Sequence, residues 1–177
     1  MSKKIYLIRH CQATGQPATA ELTEVGLKQA EALAKRLNEA GIQRIISSPY
    51  RRAIQSIEPF AFQQKIVIET DERLIERKLC EGHLPDWFEK LQETFIDLDL
   101  KLTGGESSRE AMARGVALIQ ELIDESVPVA VVTHGNLLAL ILKHYQDEVD
   151  FDFWKNLQNP DIWLLELASE NVQIKRL

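Results

Sequence analysis

Two short apolar runs, far apart in the chain, each end in a histidine, and this constrains the fold more than any other feature. The first is Lys4-Ile5-Tyr6-Leu7-Ile8, followed by Arg9-His10-Cys11; the second is Val127 to Val132, followed by Thr133-His134-Gly135-Asn136. Residues 4–8 are too few for a helix, and their bulky, β-branched side chains read as a buried strand. The second run is almost continuously apolar, which predicts a central strand covered on both faces. Ligands of open α/β sheets bind beyond the carboxyl ends of the strands. Two histidines at the same edge of one sheet can therefore lie within reach of each other.

The segments between these runs alternate. Residues 12–22 carry Gly, Pro and Thr without periodicity and read as a loop. Thr23 is a helix N-cap with Glu24 at the positive end of the dipole, and Leu27, Ala30, Leu33, Ala34 and Leu37 mark one face of a helix ending at Gly41. Ile42 to Ile46 predicts a second strand. Ser48-Pro49 opens a further helix, with Ser as N-cap and Pro at the first helical position, stopping before Pro59. Residues 65–69 predict a third strand. The stretch 71–105 is irregular, with a short helix around Trp87 and Phe88, and it reads as a lid or insert. Ser107-x-x-Glu110 is a capping box for a helix to about Glu125 with Met112, Val116, Ile119 and Ile123 inward. A Leu-rich helix over 137–146 follows the second histidine, and 161–167 with 171–175 predict a closing pair of edge strands. This alternation means a three-layer α/β/α sandwich with a mainly parallel mixed sheet.

At 177 residues the chain suits one domain, 1–177. No apolar stretch approaches the length that spans a bilayer. The N-terminus lacks the apolar region and cleavage site of a signal peptide, so a cytoplasmic location is expected. Cys11 and Cys80 are expected to be free thiols, since two cysteines make no disulfide framework in a chain of this size. A net charge of −6 and a pI near 5.3 argue against nucleic acid as a partner. Any phosphate must bind in a local cationic pocket. Oligomeric state is not legible.

Arg9, His10, His134 and Arg52, at the start of the helix after the second strand, would form such a pocket. Arginine forks match phosphoryl oxygens bidentately, and helix N-termini add backbone donors. The chain resembles the histidine phosphatase superfamily, the phosphoglycerate mutase-like proteins, through five elements in the family's order. These are Arg9-His10-Cys11 at the Arg-His-Gly signature; Leu22-Thr23-Glu24-Val25-Gly26 with Gln29-Ala30; Ser47-Ser48-Pro49-Tyr50-Arg51-Arg52-Ala53-Ile54-Gln55-Ser56; Gly104-Gly105-Glu106-Ser107; and Thr133-His134-Gly135-Asn136. Glu76 stands where the family has its acidic residue. The resemblance implies a phosphomonoester hydrolase acting on a small phosphorylated metabolite, with no metal and no organic cofactor. His10 is then the nucleophile and forms a phosphohistidine. Arg9, Arg52 and His134 hold the transferring oxygens, and Glu76 is the general acid and base.

The sequence departs from the family pattern in places. Cys11 replaces the signature glycine, which costs of order 1 kcal/mol if the backbone there has positive φ. If the thiol lies beside His10 and the arginines, its pKa is lowered. The family's usual phosphate-touching Ser or Thr and Asn are replaced by Ala13 and Gln16, with Gln12 and Thr14 as substitute donors. Gly135 and Asn136 complete the expected phosphate contacts. Three alternatives stay open: a mutase that keeps its phosphoenzyme from water, a non-catalytic phosphate or phosphoprotein binder, and Glu76 as an exposed ion pair with Arg73, Arg77 or Lys78. His83 lines the entrance or sits in a solvent loop. Arg51 and Arg52 are adjacent on a helix and cannot both face the pocket; register favours Arg52. A cysteine phosphatase is excluded because neither cysteine has an arginine six places on. A zinc site from Cys80, His83, His10 and Cys11 has suitable ligand types but would use up the nucleophile.

Overall fold

In the computed structural model, which describes residues 3–168 and 171–177, six strands form one sheet. In chain order they are β1 (Lys3–Arg9), β2 (Arg44–Ser47), β3 (Ile68–Thr70), β4 (Val129–Thr133), β5 (Asp161–Ala168) and β6 (Asn171–Arg176). Their spatial order is β3-β2-β4-β1-β5-β6. The first four are mutually parallel, whereas β5 runs antiparallel to β1, and β6 antiparallel to β5. Register pairs Arg9 with Thr133, so the residues that follow, His10 and His134, leave neighbouring strands at one edge. The His10 amide donates to the Thr133 carbonyl at 3.0 Å.

Alternation along the strands sorts the helices into two layers. Tyr6, Ile8, Ala130 and Val132 pack with α1 (Glu24–Leu37) and α2 (Arg51–Gln64). Ile5, Leu7, Val129 and Val131 face the other way, onto α3 (Trp87–Ile96), α4 (Ser108–Leu122), α5 (Gly135–Tyr145) and α6 (Phe151–Lys155). All five β4 residues are buried, as a covered central strand requires. The Thr23 N-cap and the Ser107–Glu110 capping box form as expected.

Several boundaries differ from the sequence reading. Helix α1 ends at Leu37, and Gly41, at φ +68°, belongs to the following turn. Helix α2 does not stop before Pro59 but continues to Gln64. One lost backbone bond there is outweighed by burial of Phe60 and Ala61 in the turn beyond. Its N-cap is Tyr50 rather than Ser48, because the Ser48 hydroxyl is drawn into the site described below. Strand β3 is displaced to 68–70 and helix α4 ends three residues before Glu125. Met112 and Ile123 are only partly buried, and Ala111, Gly115 and Leu118 take the inward positions.

Candidate active site

The carboxyl edge of β1 and β4 places the two imidazoles 5.1 Å apart, edge to face. His10 Nδ1 lies 2.6 Å from the Cys11 carbonyl oxygen. That oxygen can only accept, so Nδ1 carries the proton and Nε2 holds the lone pair. Arg52 donates to this Nε2 from its own Nε at 3.2 Å. Burial, reinforced by the positive charges of Arg52 and Arg9, pushes the His10 imidazole down to about 4, against the opposing pull of the Cys11 carbonyl. His10 is therefore a neutral nitrogen base at pH 7. His134 is fully buried, its Nε2 lies 2.8 Å from the Ser48 hydroxyl, and burial holds it neutral as well.

The two arginines are fixed by backbone carbonyls. Arg9 Nη1 donates to Leu157 and Gln158 (2.9 and 3.2 Å), just ahead of β5. Arg52 Nη1 donates to Gln16 and Pro17, both at 2.9 Å, which ties α2 to the loop after β1. The Tyr50 ring packs under the Arg52 guanidinium and against His134, at 5.0 Å from each. Arg52 is buried, whereas Arg51 is exposed and pairs with Glu58 and Glu21. The register assignment holds. Arg9 Nε, His134 Nδ1 and Asn136 Oδ1 are buried and find no hydrogen-bond partner among the described residues.

Glu76 stands across the cavity from this cluster, on the segment after a 3-10 turn (Glu72–Leu74). It makes no ion pair among the described residues. Its carboxylate accepts from the backbone amides of Leu137 (3.0 Å), Asn136 (3.1 Å) and Arg77 (2.8 Å), the first two being free donors in the opening turn of α5. The neighbouring cations are engaged elsewhere. Arg73 holds Asp71 and Glu121, and the buried Arg77 donates to the Thr94 hydroxyl and the Glu106 carbonyl. The exposed ion pair considered for Glu76 does not form.

Arg9, His10, Glu76, Gln12, Gln16, Gly135 and Asn136 border one cavity of about 630 Å³. Arg52 and His134 are fully buried and do not border it. Neither does Thr14, which is exposed, with both its amide and its hydroxyl engaged by the Glu21 carbonyl across a β-bridge that joins Ala13 to Leu22. Gln12 reaches the cavity with its amide oxygen already taken by the Thr23 hydroxyl at 2.7 Å. His83 lines the cavity, which decides between its two expected places. Asn159, not anticipated from sequence, also lines it and donates from Nδ2 to the His10 carbonyl at 2.7 Å.

Cys11 corrects another expectation. Lys65 is the one non-glycine with positive φ among the described residues, so the backbone at Cys11 carries no such strain. The thiol is fully buried among the side chains between the sheet and α1. Burial pushes its pKa up to about 11, opposite to the expected activation. Its amide donates to Ser56 Oγ (2.8 Å), which donates in turn to the Arg52 carbonyl (2.6 Å).

The sequence model of the histidine phosphatase superfamily (branch 1) matches residues 5–177. The chain belongs to this superfamily. Within it, the chain is 30% identical to the glucosyl-3-phosphoglycerate phosphatase of Mycobacterium tuberculosis, over 79% of this chain and 74% of that protein. It is equally 30% identical to a probable phosphoglycerate mutase of Proteus mirabilis, with 78% and 73% covered. The solved structure of mycobacterial glucosyl-3-phosphoglycerate phosphatase superimposes with a TM-score of 0.80 at 25% identity, covering 99% of this chain and 97% of that one. The histidine phosphatase fold therefore extends over the sheet, both helical layers and the edge that carries His10 and His134.

Proposed function

We propose that the protein is a metal-independent phosphomonoester hydrolase acting on a small phosphorylated metabolite, with His10 as nucleophile. The carrying observation is a neutral imidazole with its lone pair on Nε2, held by the Cys11 carbonyl beneath two anchored arginines. Nε2 attacks phosphorus, the bond to the ester oxygen breaks, and Glu76, as general acid, delivers a proton to that oxygen. Glu76 then takes a proton from water, whose oxygen attacks the phosphohistidine. Inorganic phosphate leaves and His10 is restored. Arg9, Arg52, His134 and Asn136, with the α5 N-terminus at Gly135, stabilise charge on the transferred group, and Gln12 and Gln16 form its outer wall. The segment 71–105, within the single domain 1–177, acts as the cover of the site.

The likeness to a probable mutase favours a second reading, phosphoryl transfer back to the substrate. A mutase must shield its phosphoenzyme from water, whereas exposed Gln12, Gln16, His83 and Trp87 open this cavity to solvent. Hydrolysis is the better fit. Two free thiols suit a reducing compartment, and we place the enzyme in the cytoplasm on that ground.

The test is hydrolysis of p-nitrophenyl phosphate in EDTA by the wild type and by His10→Ala. Turnover that persists in EDTA and disappears in the variant is expected. Activity lost to EDTA, or retained without His10, would overturn the mechanism.

A further inference from the structure

The cavity is much larger than one phosphate, and its two halves differ in chemistry. The half of the lining around His10 holds Arg9, Glu76 and the amides of Gln12, Gln16, Asn136 and Asn159. The other half of the lining is largely apolar: Leu79, Leu84, Leu91, Trp87 and Trp154, together with His83 and Cys80. No carboxylate, ammonium or accessible guanidinium faces that wall among the described residues. Arg77 borders the cavity, but its guanidinium is buried against Thr94 and Glu106.

The wall is preformed. Phe88 and Phe151 stack edge to face at 5.0 Å, and they join Trp87 (5.6 Å from Phe88) to Trp154 (5.4 Å from Phe151), so α3 and α6 are locked together behind the two indoles. Trp87 nevertheless remains 48% exposed, a large apolar face turned to the solvent of an active-site cavity.

On the basis of the phosphatase reading, we infer that this half is a subsite for an uncharged, apolar alcohol moiety, and that the preferred substrates are aryl or alkyl phosphates rather than polyhydroxylated ones. A sugar ring would bury hydroxyls against side chains whose only polar atoms, among the described residues, are the His83 ring nitrogens, the two indole N–H groups and the Cys80 thiol, and unpaired polar groups are expensive to bury. An apolar group leaves nothing unpaired and covers the indoles. A second carboxylate or phosphate on the substrate meets no counter-charge there.

The experiment compares kcat/KM for hexyl phosphate and glucose 6-phosphate, two primary esters of equal carbon number. The expected ratio is at least about tenfold in favour of the hexyl ester, from the burial of several methylenes. Trp87→Ala should collapse the ratio towards one, and Trp87→Phe should retain most of it. Equal turnover of both esters by the wild type, or a ratio that Trp87→Ala leaves unmoved, overturns the subsite while the phosphatase reading stands. Absence of turnover with either ester and with p-nitrophenyl phosphate overturns both. Quenching of tryptophan fluorescence by hexyl phosphate but not by glucose 6-phosphate is expected from the same wall; the reverse order contradicts it.

Discussion

Arg52 Nε lies 3.2 Å from His10 Nε2, so its guanidinium covers the lone pair of the proposed nucleophile. The arrangement fixes the tautomer twice over, because Nδ1–H is bound to the Cys11 carbonyl and Nε2 accepts from the guanidinium. In the proposed attack, Nε2 exchanges Arg52 for phosphorus while the guanidinium moves onto the phosphoryl oxygens. The Nη1 anchor to Gln16 and Pro17 leaves Nη2 and Nε for that exchange.

Replacing Arg52 therefore removes a donor that tracks the transferred group. Arg52→Ala should lower kcat on p-nitrophenyl phosphate by about 10²–10³, the usual cost of losing one charge-stabilising donor. Arg52→Lys restores the charge but not the planar fork, and should recover only part of the loss. Steady-state kinetics of the two variants, with circular dichroism to confirm folding, checks this. A Lys variant as active as wild type would mean that only charge matters.

The depressed His10 pKa has a consequence for stability. The native protein gives up the His10 proton at about pH 4, the unfolded chain near 6.5. Between those values the unfolded state binds a proton that the native state refuses, so stability falls as pH drops through this window and is unaffected above it. Between pH 7 and pH 5 this amounts to about 2 kcal/mol. Urea unfolding at the two pH values should show that much less pH dependence in His10→Gln than in wild type. Buried His134 acts in the same direction and remains in the variant as a shared background.

Cys11 and Cys80 should differ in reactivity, in the order opposite to their distance from the nucleophile. Burial keeps Cys11 protonated at neutral pH and out of contact with solvent, whereas Cys80 borders the cavity and is half-buried. Iodoacetamide followed by peptide mass spectrometry should modify Cys80 first, with Cys11 reacting only as the protein unfolds. Cys11→Gly should destabilise the protein by about 1–2 kcal/mol through added backbone freedom and lost packing, because no positive φ here favours glycine.

The elements legible in the sequence were those specified by local periodicity. Apolar runs gave the strands that carry His10 and His134, and adjacency on a helix separated Arg51 from Arg52. The Thr23 and Ser107 caps, whose partners lie three residues away, were equally visible. Where tertiary burial overrides a local signal, the structure departs from what the sequence predicts. Pro59 marked a helix end that Phe60, packed between the sheet and α1, did not permit. Thr14 had suitable chemistry, but the bridge between Ala13 and Leu22 turned it away. Cys11 is next to Arg9-His10 in sequence, but it lies past the end of β1, where strand alternation no longer applies, and its thiol is buried in the layer of Tyr6 and Ile8.

Asn159 is the case in which no local signal existed. Its side chain reaches the His10 carbonyl across 149 positions, and Asn159-Pro160 ahead of β5 reads only as a turn. The bond holds the backbone that presents the proposed nucleophile, next to the Leu157 and Gln158 carbonyls that hold Arg9, which predicts a positioning role for Asn159. Asn159→Ala should cost about 1 kcal/mol of that positioning, roughly a fivefold fall in kcat, with KM nearly unchanged. Asn159→Asp keeps the shape but cannot donate to the carbonyl, and should be no better than Ala. A purely structural role would instead lower thermal stability in both variants while leaving kcat of the folded enzyme near wild type. Steady-state kinetics beside thermal melts of the same preparations separates the two, and full activity in a folded Asn159→Asp protein would remove Asn159 from the site.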